Sequence, residues 1–287
     1  MTDSWTWVDS RSKVDKAKKS IERSSAICVD TEYDSFRYFR EKLCLIQIKA
    51  ANSTYLFDPL ITLDLSFLGS TFSDPNIVKI IHAGDNDIRI LKRDYGFEFK
   101  NIFDTHIAAA ILGCQHLSLN SIISQYLGVE LNKTKKMQRS RWGNRPLTDE
   151  QINYAVRDTQ YLTDLCVRLK DEIEQKGLEK AASESFEKMT AVKWHEKTLD
   201  FNGHLKIKGA KDLNRYQLRR LQTLYRWRFK KAKETNIARF MLLSDQNILD
   251  LSKIEKGSVK SLGTIPNLSS RKAETLGQEI FEILNNL

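Results

Sequence analysis

Residues 26–32 read Ala-Ile-Cys-Val-Asp-Thr-Glu, and this short stretch decides what kind of domain the chain forms. Its first four residues are a continuous apolar run, which is typical of a strand buried on both faces. Side chains alternate along a strand, so Asp30 and Glu32 point to one side and Thr31 to the other. Two carboxylates at the end of a hydrophobic strand are costly to bury unless a positive charge binds them. Hard oxygen ligands suit magnesium or manganese, although for this motif alone two solvated surface acids are the better explanation.

The sequence on either side predicts further strands and then helices. Three apolar runs predict strands at 43–48, 55–57 and 77–82, and Asn52-Ser53 fits the turn of a hairpin. We expect helices near residues 12–22, 85–95, 104–113 and 118–127. Thr148 and Gln151 predict the capping box of one more helix, whose apolar stripe continues to Ile173. Strands followed by helices indicate an α/β domain over residues 1–198.

The last third of the chain differs from the rest in pattern and in charge. Past a junction at 197–212 it predicts helices at 213–233, 244–255 and 269–286, with a connector at 257–266. Residues 201–287 hold 17 basic and 8 acidic residues, so they carry the whole net charge of +9. A small all-helical domain over residues 205–287 is therefore predicted. A basic module beside a neutral one favours a nucleic-acid partner, and a solubilising surface is the alternative.

Two later motifs could bring more acids to the strand ends. In the stretch 82–87, Asp85 and Asp87 lie where a helix is predicted to begin, and helix capping and the helix dipole account for both equally well. Tyr154 and Asp158 are four residues apart in a predicted helix, so the phenol and the carboxylate can address one point. A half-buried tyrosine beside a surface acid is the simpler interpretation of that pair taken alone.

Five segments together carry a more specific signal than any of them alone. They are VDTE at 29–32, IIHAGDNDIRIL at 80–91, FDTHIAAAILG at 103–113, SLNSIISQYLGVEL at 118–131 and RPLTDEQINYAVRDTQYL at 145–162. In order and spacing they resemble the DEDD exonuclease superfamily and, within it, the ribonuclease D family. The resemblance implies an α/β fold, with a ribonuclease H-like mixed sheet flanked by helices. It places the family's four metal-binding acids on Asp30, Glu32, Asp87 and Asp158. The family's catalytic tyrosine falls on Tyr154, which indicates the tyrosine branch.

The same resemblance implies an activity and its cofactors. It implies a metal-dependent 3′→5′ exoribonuclease that releases nucleoside 5′-monophosphates from RNA, with two divalent cations, Mg²⁺ or Mn²⁺, at the scissile phosphate. The expected partner is RNA with a free 3′ end, such as a transfer-RNA precursor. A DNA 3′→5′ exonuclease on the same fold is the second hypothesis. A non-catalytic RNA-binding protein ranks last, because none of the four acids is missing.

The C-terminal region resembles a helicase-and-RNase-D C-terminal (HRDC) domain. The resemblance lies in LNRYQLRRLQTLYRWRFKKAKE at 213–234, FMLLSDQNILDLSK at 240–253 and LSSRKAETLGQEIFEIL at 268–284. Basic residues in this region and in the polar stretch 132–147 are candidate phosphate contacts. The candidates are Lys133, Lys136, Arg139, Arg141, Arg145, Arg219, Arg220, Arg226 and Lys230. Trp142 and Trp227 are expected to pack in cores and not to stack on bases.

Composition excludes several other classes of protein. No stretch approaches the roughly 20 apolar residues needed to span a membrane, and the N-terminal residues hold no apolar run of the signal-peptide type. The four cysteines show no C-x-x-C spacing and lie among apolar residues, which indicates reduced core thiols and argues against a zinc site. We therefore expect a monomeric cytoplasmic protein with no membrane partner.

Overall fold

The structure is a computed structural model of the 287-residue chain, and it describes residues 4–131, 135–254 and 269–285. The chain divides into two compact units. The first holds residues up to Asp34 together with Lys42–His195, and the second holds Ser35–Glu41 together with the chain from Glu196 onward.

The first unit is built on a six-stranded mixed sheet. Its strands are β1 (Ser4–Val8), β2 (Ala26–Asp34), β3 (Lys42–Ala50), β4 (Ser53–Phe57), β5 (Val78–Ile81) and β6 (Ile102–Asp104). The strand order is β1-β4-β3-β2-β5-β6, with β3 antiparallel to both β2 and β4 and the remaining pairs parallel. This architecture confirms the predicted mixed α/β fold.

Strand β2 lies inside the sheet, between β3 and β5, which explains its apolar run. Ile27, Cys28 and Val29 are each at most 3% exposed. Ile27 and Val29 belong to one hydrophobic cluster and Cys28 to another, so apolar side chains cover both faces of the strand. The acids that follow are therefore held on a strand that cannot move without disturbing two cores.

Nine helices of the described residues belong to the first unit. They are α1 (Arg11–Glu22), α2 (Phe67–Ser73), α3 (Asp85–Tyr95), α4 (Thr105–Ile111), α5 (Leu119–Leu127), α6 (Lys135–Gln138), α7 (Asp149–Gln160), α8 (Leu162–Gln175) and α9 (Glu179–Thr190). The single helix predicted from Thr148 to Ile173 is wrong in one respect, because it is two helices separated at Tyr161 (φ −101°, ψ −1°). The apolar stripe keeps its period across the break, so periodicity alone did not reveal it.

The second unit is helical, as predicted. Its described helices are α10 (Arg215–Thr235), α11 (Arg239–Leu242), α12 (Asp245–Lys253) and α13 (Ser270–Asn285). Two short 3₁₀ segments, Gly203–Lys206 and Ala210–Asp212, precede them. The predicted connector at 257–266 lies outside the described residues.

The connection between β2 and β3 belongs to this second unit, which the sequence did not suggest. The Phe39 ring meets the Phe229 ring of α10 edge-on, with 5.2 Å between their centroids. The backbone amide of Ala238 donates to the carbonyl of Arg37 at 3.0 Å. Residues 35–41 therefore fold as part of the helical unit although they separate two strands of the sheet.

Two expectations about composition can be compared with the structure. The four cysteines are free thiols, and Cys28, Cys44 and Cys166 are buried, as the sequence indicated. Within the described residues, no helix combines the length and the apolar character needed to cross a bilayer.

Candidate active site

Two of the predicted acids extend from one face of β2. Asp30 lies opposite Gln47 of β3, and Glu32 lies opposite Leu45, so both acids face the side on which α7 packs. A register shift follows directly after Glu32. Glu32 is 8% exposed and Asp30 is half-buried. Glu32 is therefore largely removed from water and Asp30 partly so, contrary to the alternative of two solvated surface acids.

Helix α7 supplies the third acid. The predicted capping box is present, since the Thr148 side chain accepts from the Gln151 amide and the Gln151 side chain accepts from the Thr148 amide. This cap fixes where the helix begins and therefore which face it turns toward β2. Tyr154 and Asp158 lie one turn apart on α7, and Asp158 is 7% exposed. The helix thus presents both side chains toward the acids of the strand.

The carboxylates of Asp30, Glu32 and Asp158 meet at one point. One oxygen from each lies within 4.8 Å of the others, and among the described residues this is the group that could hold a metal ion. Three carboxylates this close repel one another unless a cation compensates them. Their oxygens are the hard ligands that magnesium and manganese prefer. The donor set therefore fits a divalent cation.

The fourth predicted acid has different partners. Asp87 lies in the first turn of α3 and is not a member of the three-acid group. Its Oδ1 accepts a hydrogen bond from the Thr31 hydroxyl, on the opposite side of β2 from Asp30 and Glu32. Burial raises the pKa of Asp87 to about 6, against the lowering effect of the Thr31 hydroxyl, and the charge of Asp104 adds to the rise. The structure places Asp87 against the strand of the site, and its role as a ligand remains a prediction.

Tyr154 is surrounded by aromatic and acidic groups. Its ring centroid lies 5.9 Å from that of Trp142, which is 1% exposed and belongs to the cluster that packs between α7 and the sheet. Trp142 is thus a core residue, as expected. Burial raises the pKa of Tyr154, and the charges of Glu32 and Asp30 raise it further. The phenol therefore stays protonated at neutral pH and can act as a hydrogen-bond donor.

Three residues of the site were not singled out from the sequence. Thr31 holds Asp87, as described above. Burial raises the pKa of Tyr33 to about 12, and the charges of Asp87, Asp30 and Glu32 contribute to the rise. Gln47 is fully buried opposite Asp30. Thr31 lies between the two acids in sequence and Tyr33 directly follows them, and these positions could have identified both residues. Gln47 could have been found as a polar residue inside the apolar run of β3.

Arg145, predicted to bind nucleic acid, has a structural role instead. Its guanidinium uses all five N–H groups: two on the carboxylate of Asp58 and three on the carbonyls of Trp142, Asn144 and Cys44. The side chain ties the segment before α7 to the sheet. With no N–H group left for a phosphate, Arg145 is withdrawn from the candidate RNA contacts.

Arg220 is withdrawn for a related reason. It is 2% exposed, and its guanidinium donates to the backbone carbonyls of Ile254 and Leu284 at the ends of α12 and α13. Trp227 is partly buried, packs on the same core and donates from Nε1 to Glu279 at 2.9 Å. Lys133 lies outside the described residues, as does the side chain of Lys136. The candidates that stay exposed are Arg139, Arg141, Arg219, Arg226 and Lys230.

Comparison with known proteins identifies the family. A model of the 3′–5′ exonuclease family matches residues 5–174, and an HRDC domain model matches residues 217–284. The ribonuclease D of Desulfotalea psychrophila is 31% identical over 277 residues, which are 96% of this chain and 72% of that protein. This chain belongs to the ribonuclease D family.

Solved structures agree with this membership of the ribonuclease D family. Escherichia coli RNase D, described as an exoribonuclease involved in structured RNA processing, is 27% identical with a TM-score of 0.71. The match covers 99% of this chain and 75% of that one. The catalytic core of RRP6 from Trypanosoma brucei shares the fold with a TM-score of 0.90 at 24% identity, over 99% of this chain and 80% of that one. As a member of this family, the chain is a 3′–5′ exonuclease of the ribonuclease D type that acts on RNA.

Proposed function

We propose that this chain shortens RNA from its 3′ end by two-metal-ion hydrolysis and releases nucleoside 5′-monophosphates. Asp30, Glu32, Asp87 and Asp158 are the proposed ligands of two Mg²⁺ or Mn²⁺ ions. The observation that carries the proposal is the three-carboxylate group of Asp30, Glu32 and Asp158, within 4.8 Å of one another. Such a group is stable at neutral pH when cations balance its charge.

The carboxylates and Tyr154 have different roles in the proposed reaction. When bound, two divalent cations neutralise the scissile phosphate and lower the pKa of an attacking water. The carboxylates fix where that charge lies, because β2 and α7 are held rigidly by their cores. Tyr154 keeps its proton, since burial and the neighbouring acids raise its pKa. We assign its hydroxyl a positioning hydrogen bond to the water or to a phosphate oxygen, and not the role of a base.

The test of this proposal is the loss of one ligand. We expect Asp30→Asn to lower Mg²⁺-dependent shortening of RNA by at least about 10³-fold, since several kcal/mol of transition-state stabilisation depends on the cations. The measurement is a timed digest of one RNA labelled at its 5′ or its 3′ end, with Mg²⁺ or with EDTA. The 3′ label should appear at once as mononucleotide, while the 5′ label shortens stepwise.

A matched control separates chemistry from folding. Asp171→Asn makes the same chemical change at an exposed position of α8, and it should leave the digest unchanged. Full activity in Asp30→Asn would end the assignment. A DNA strand of the same sequence, digested in parallel, tests the alternative that DNA is the preferred substrate.

We further propose that residues 205–287 hold RNA through exposed cations on α10. Arg219, Arg226 and Lys230 are spaced seven and four residues apart, so they share one helical face, while Arg220 and Arg228 are buried. Replacing the three exposed residues by alanine should weaken binding of single-stranded RNA and reduce the salt slope by about 0.7 for each lost phosphate contact. Arg168→Ala, an exposed change on α8, is the control. An unchanged salt slope in the triple variant would show that the charge serves solubility.

For the natural substrate we propose transfer-RNA precursors in the cytoplasm. Support comes from the Escherichia coli relative, which is described as taking part in structured RNA processing. A precursor is a structured RNA with a single-stranded 3′ extension, which offers the free 3′ end that a 3′–5′ exonuclease requires. Digestion that stops near the folded body of a precursor would agree with the proposal, and indifference to such structure would contradict it.

A further inference from the structure

Gln47 is a polar residue in the middle of β3 whose side chain has no hydrogen-bond partner in the described part of the chain. It is 0% exposed, and among the described residues neither its Oε1 nor its Nε2 has a hydrogen-bond partner. A buried amide without partners is less favourable than an apolar side chain of the same shape, because it loses its bonds to water and gains none. Packing alone therefore does not account for glutamine at this position.

The sheet register places Gln47 beside the acids. It is the direct partner of Asp30 in the antiparallel pair of β2 and β3. Side chains of directly opposite residues lie on the same face, with Cβ atoms about 4.5–5.5 Å apart. A glutamine amide extends far enough to cover that distance. Gln47 is thus next to the carboxylate that begins the metal-binding motif.

The contacts of Leu45 and Lys49, two residues before and after Gln47, show that helix α7 packs over this part of β3. Two residues before it, Leu45 packs in one cluster with Ala155 and Val156 of α7. Two residues after it, the Lys49 Nζ donates to the carbonyl of Gln160, at the end of the same helix, at 2.6 Å. Gln47 therefore lies beneath the part of α7 that carries Asp158, between the two elements that supply the acids.

We propose that Gln47 is a positioning residue of the cation site, whose Nε2 donates to the Asp30 carboxylate when cations are bound. The inference rests on the proposed function. A carboxylate that gives one oxygen to a cation keeps lone pairs free to accept, and a neutral amide can donate to them without adding charge. Partners of this kind orient metal ligands, and their loss lowers metal affinity about 10- to 100-fold.

The test compares metal affinity with stability, because the two are expected to change in opposite directions. Gln47→Met keeps the length of the side chain and removes both polar atoms. We expect the metal-free variant to melt at the same temperature as the wild-type chain or higher, while its dissociation constant for Mn²⁺ rises about 10- to 100-fold. Mn²⁺ binding is measured by calorimetry without RNA, and melting is measured in EDTA.

Thr54→Val is the matched control. Thr54 is also 0% exposed with a hydroxyl that lacks a partner among the described residues, but it lies on β4, two strands from Asp30. Its replacement should leave Mn²⁺ affinity unchanged. Gln47→Leu is a second variant, for use if the methionine variant does not fold.

The outcomes separate this inference from the function on which it rests. Equal Mn²⁺ binding by the wild-type chain and Asp30→Asn would overturn the proposed cation site itself. If Asp30→Asn loses Mn²⁺ while the Gln47 variant that folds binds it as the wild type does, the role of Gln47 is refuted and the site stands. A melting temperature lowered without a change in Mn²⁺ affinity would also refute it.

Discussion

The first unit buries carboxylates in several places, and two of those places give the charge opposite surroundings. Asp104, at the end of β6, is 0% exposed and accepts from the backbone amides of Ala83, Gly84, His106 and Ile107, at 2.8–3.3 Å. Asp30, Glu32 and Asp158, between β2 and α7, are gathered against one another. Backbone dipoles stabilise the first carboxylate, whereas the carboxylates of the second group lie close enough to repel one another, which a bound cation would offset.

The local backbone explains the difference. Ala83 adopts a left-handed conformation (φ 52°). In this turn the backbone amides of residues 83 and 84 both donate to the Asp104 carboxylate. Asp104 also caps α4. Its burial thus serves the fold, and burial of an acid does not by itself mark a site. The partners of the acid decide whether it serves structure or chemistry.

The largest effect should come from removing the structural acid. We expect Asp104→Ala to lower the free energy of unfolding by roughly 3–5 kcal/mol, because it removes a helix cap and leaves buried amides without an acceptor. Asp158→Asn in EDTA should change it by less than about 1 kcal/mol, since it relieves repulsion between like charges. Urea unfolding in EDTA measures both. Equal losses in the two variants would show that the site acids are structural and would remove the contrast.

A smaller effect is expected from Asp87, which lies between the two places. Burial raises the pKa of Asp87 to about 6, so the folded chain binds this proton more tightly than the unfolded chain does. Protonation of Asp87 therefore stabilises the folded chain below about pH 4, by at most roughly 3 kcal/mol. This stabilisation is lost as the pH rises from about 4 to about 6. In EDTA the stability of the wild-type chain should fall over this range relative to Asp87→Asn. If the free energies of unfolding of the two proteins change in parallel with pH, the raised pKa of Asp87 is contradicted.

Residue type and spacing predicted the elements that carry the site acids, and the family resemblance assigned those acids to a metal site. Asp30 and Glu32 follow a run that had to be a buried strand, and the capping box of Thr148 fixed the start of the helix that carries Tyr154 and Asp158. These features depend on neighbouring residues, so periodicity and capping rules describe them. Strands β1 and β6 were missed, because β1 lacks the continuous apolar run that marked the predicted strands and β6, with three residues, is too short to show a period.

The basic residues show where such reasoning stops. Arg145, Arg220 and Arg226 all lie in basic stretches and were all candidate phosphate contacts. The guanidinium groups of Arg145 and Arg220 nevertheless donate to carbonyls in the interior. Those carbonyls come from Cys44 and Leu284, which are distant in sequence. Periodicity on α10 could have separated Arg220 from Arg219, but no local rule supplies the partners that satisfy a buried charge.

The sequence by itself determined the fold class and the place of the excess charge, because these depend on side-chain chemistry and local period, and it supplied candidate cation ligands through the family resemblance of five segments taken together. Only the tertiary structure decided which charges meet. It brought Asp30, Glu32 and Asp158 together, directed Asp87 to Thr31, and placed residues 35–41 in the helical unit. The physical reason is that a buried charge is stable only with a partner, and its partners take their positions when separate elements pack.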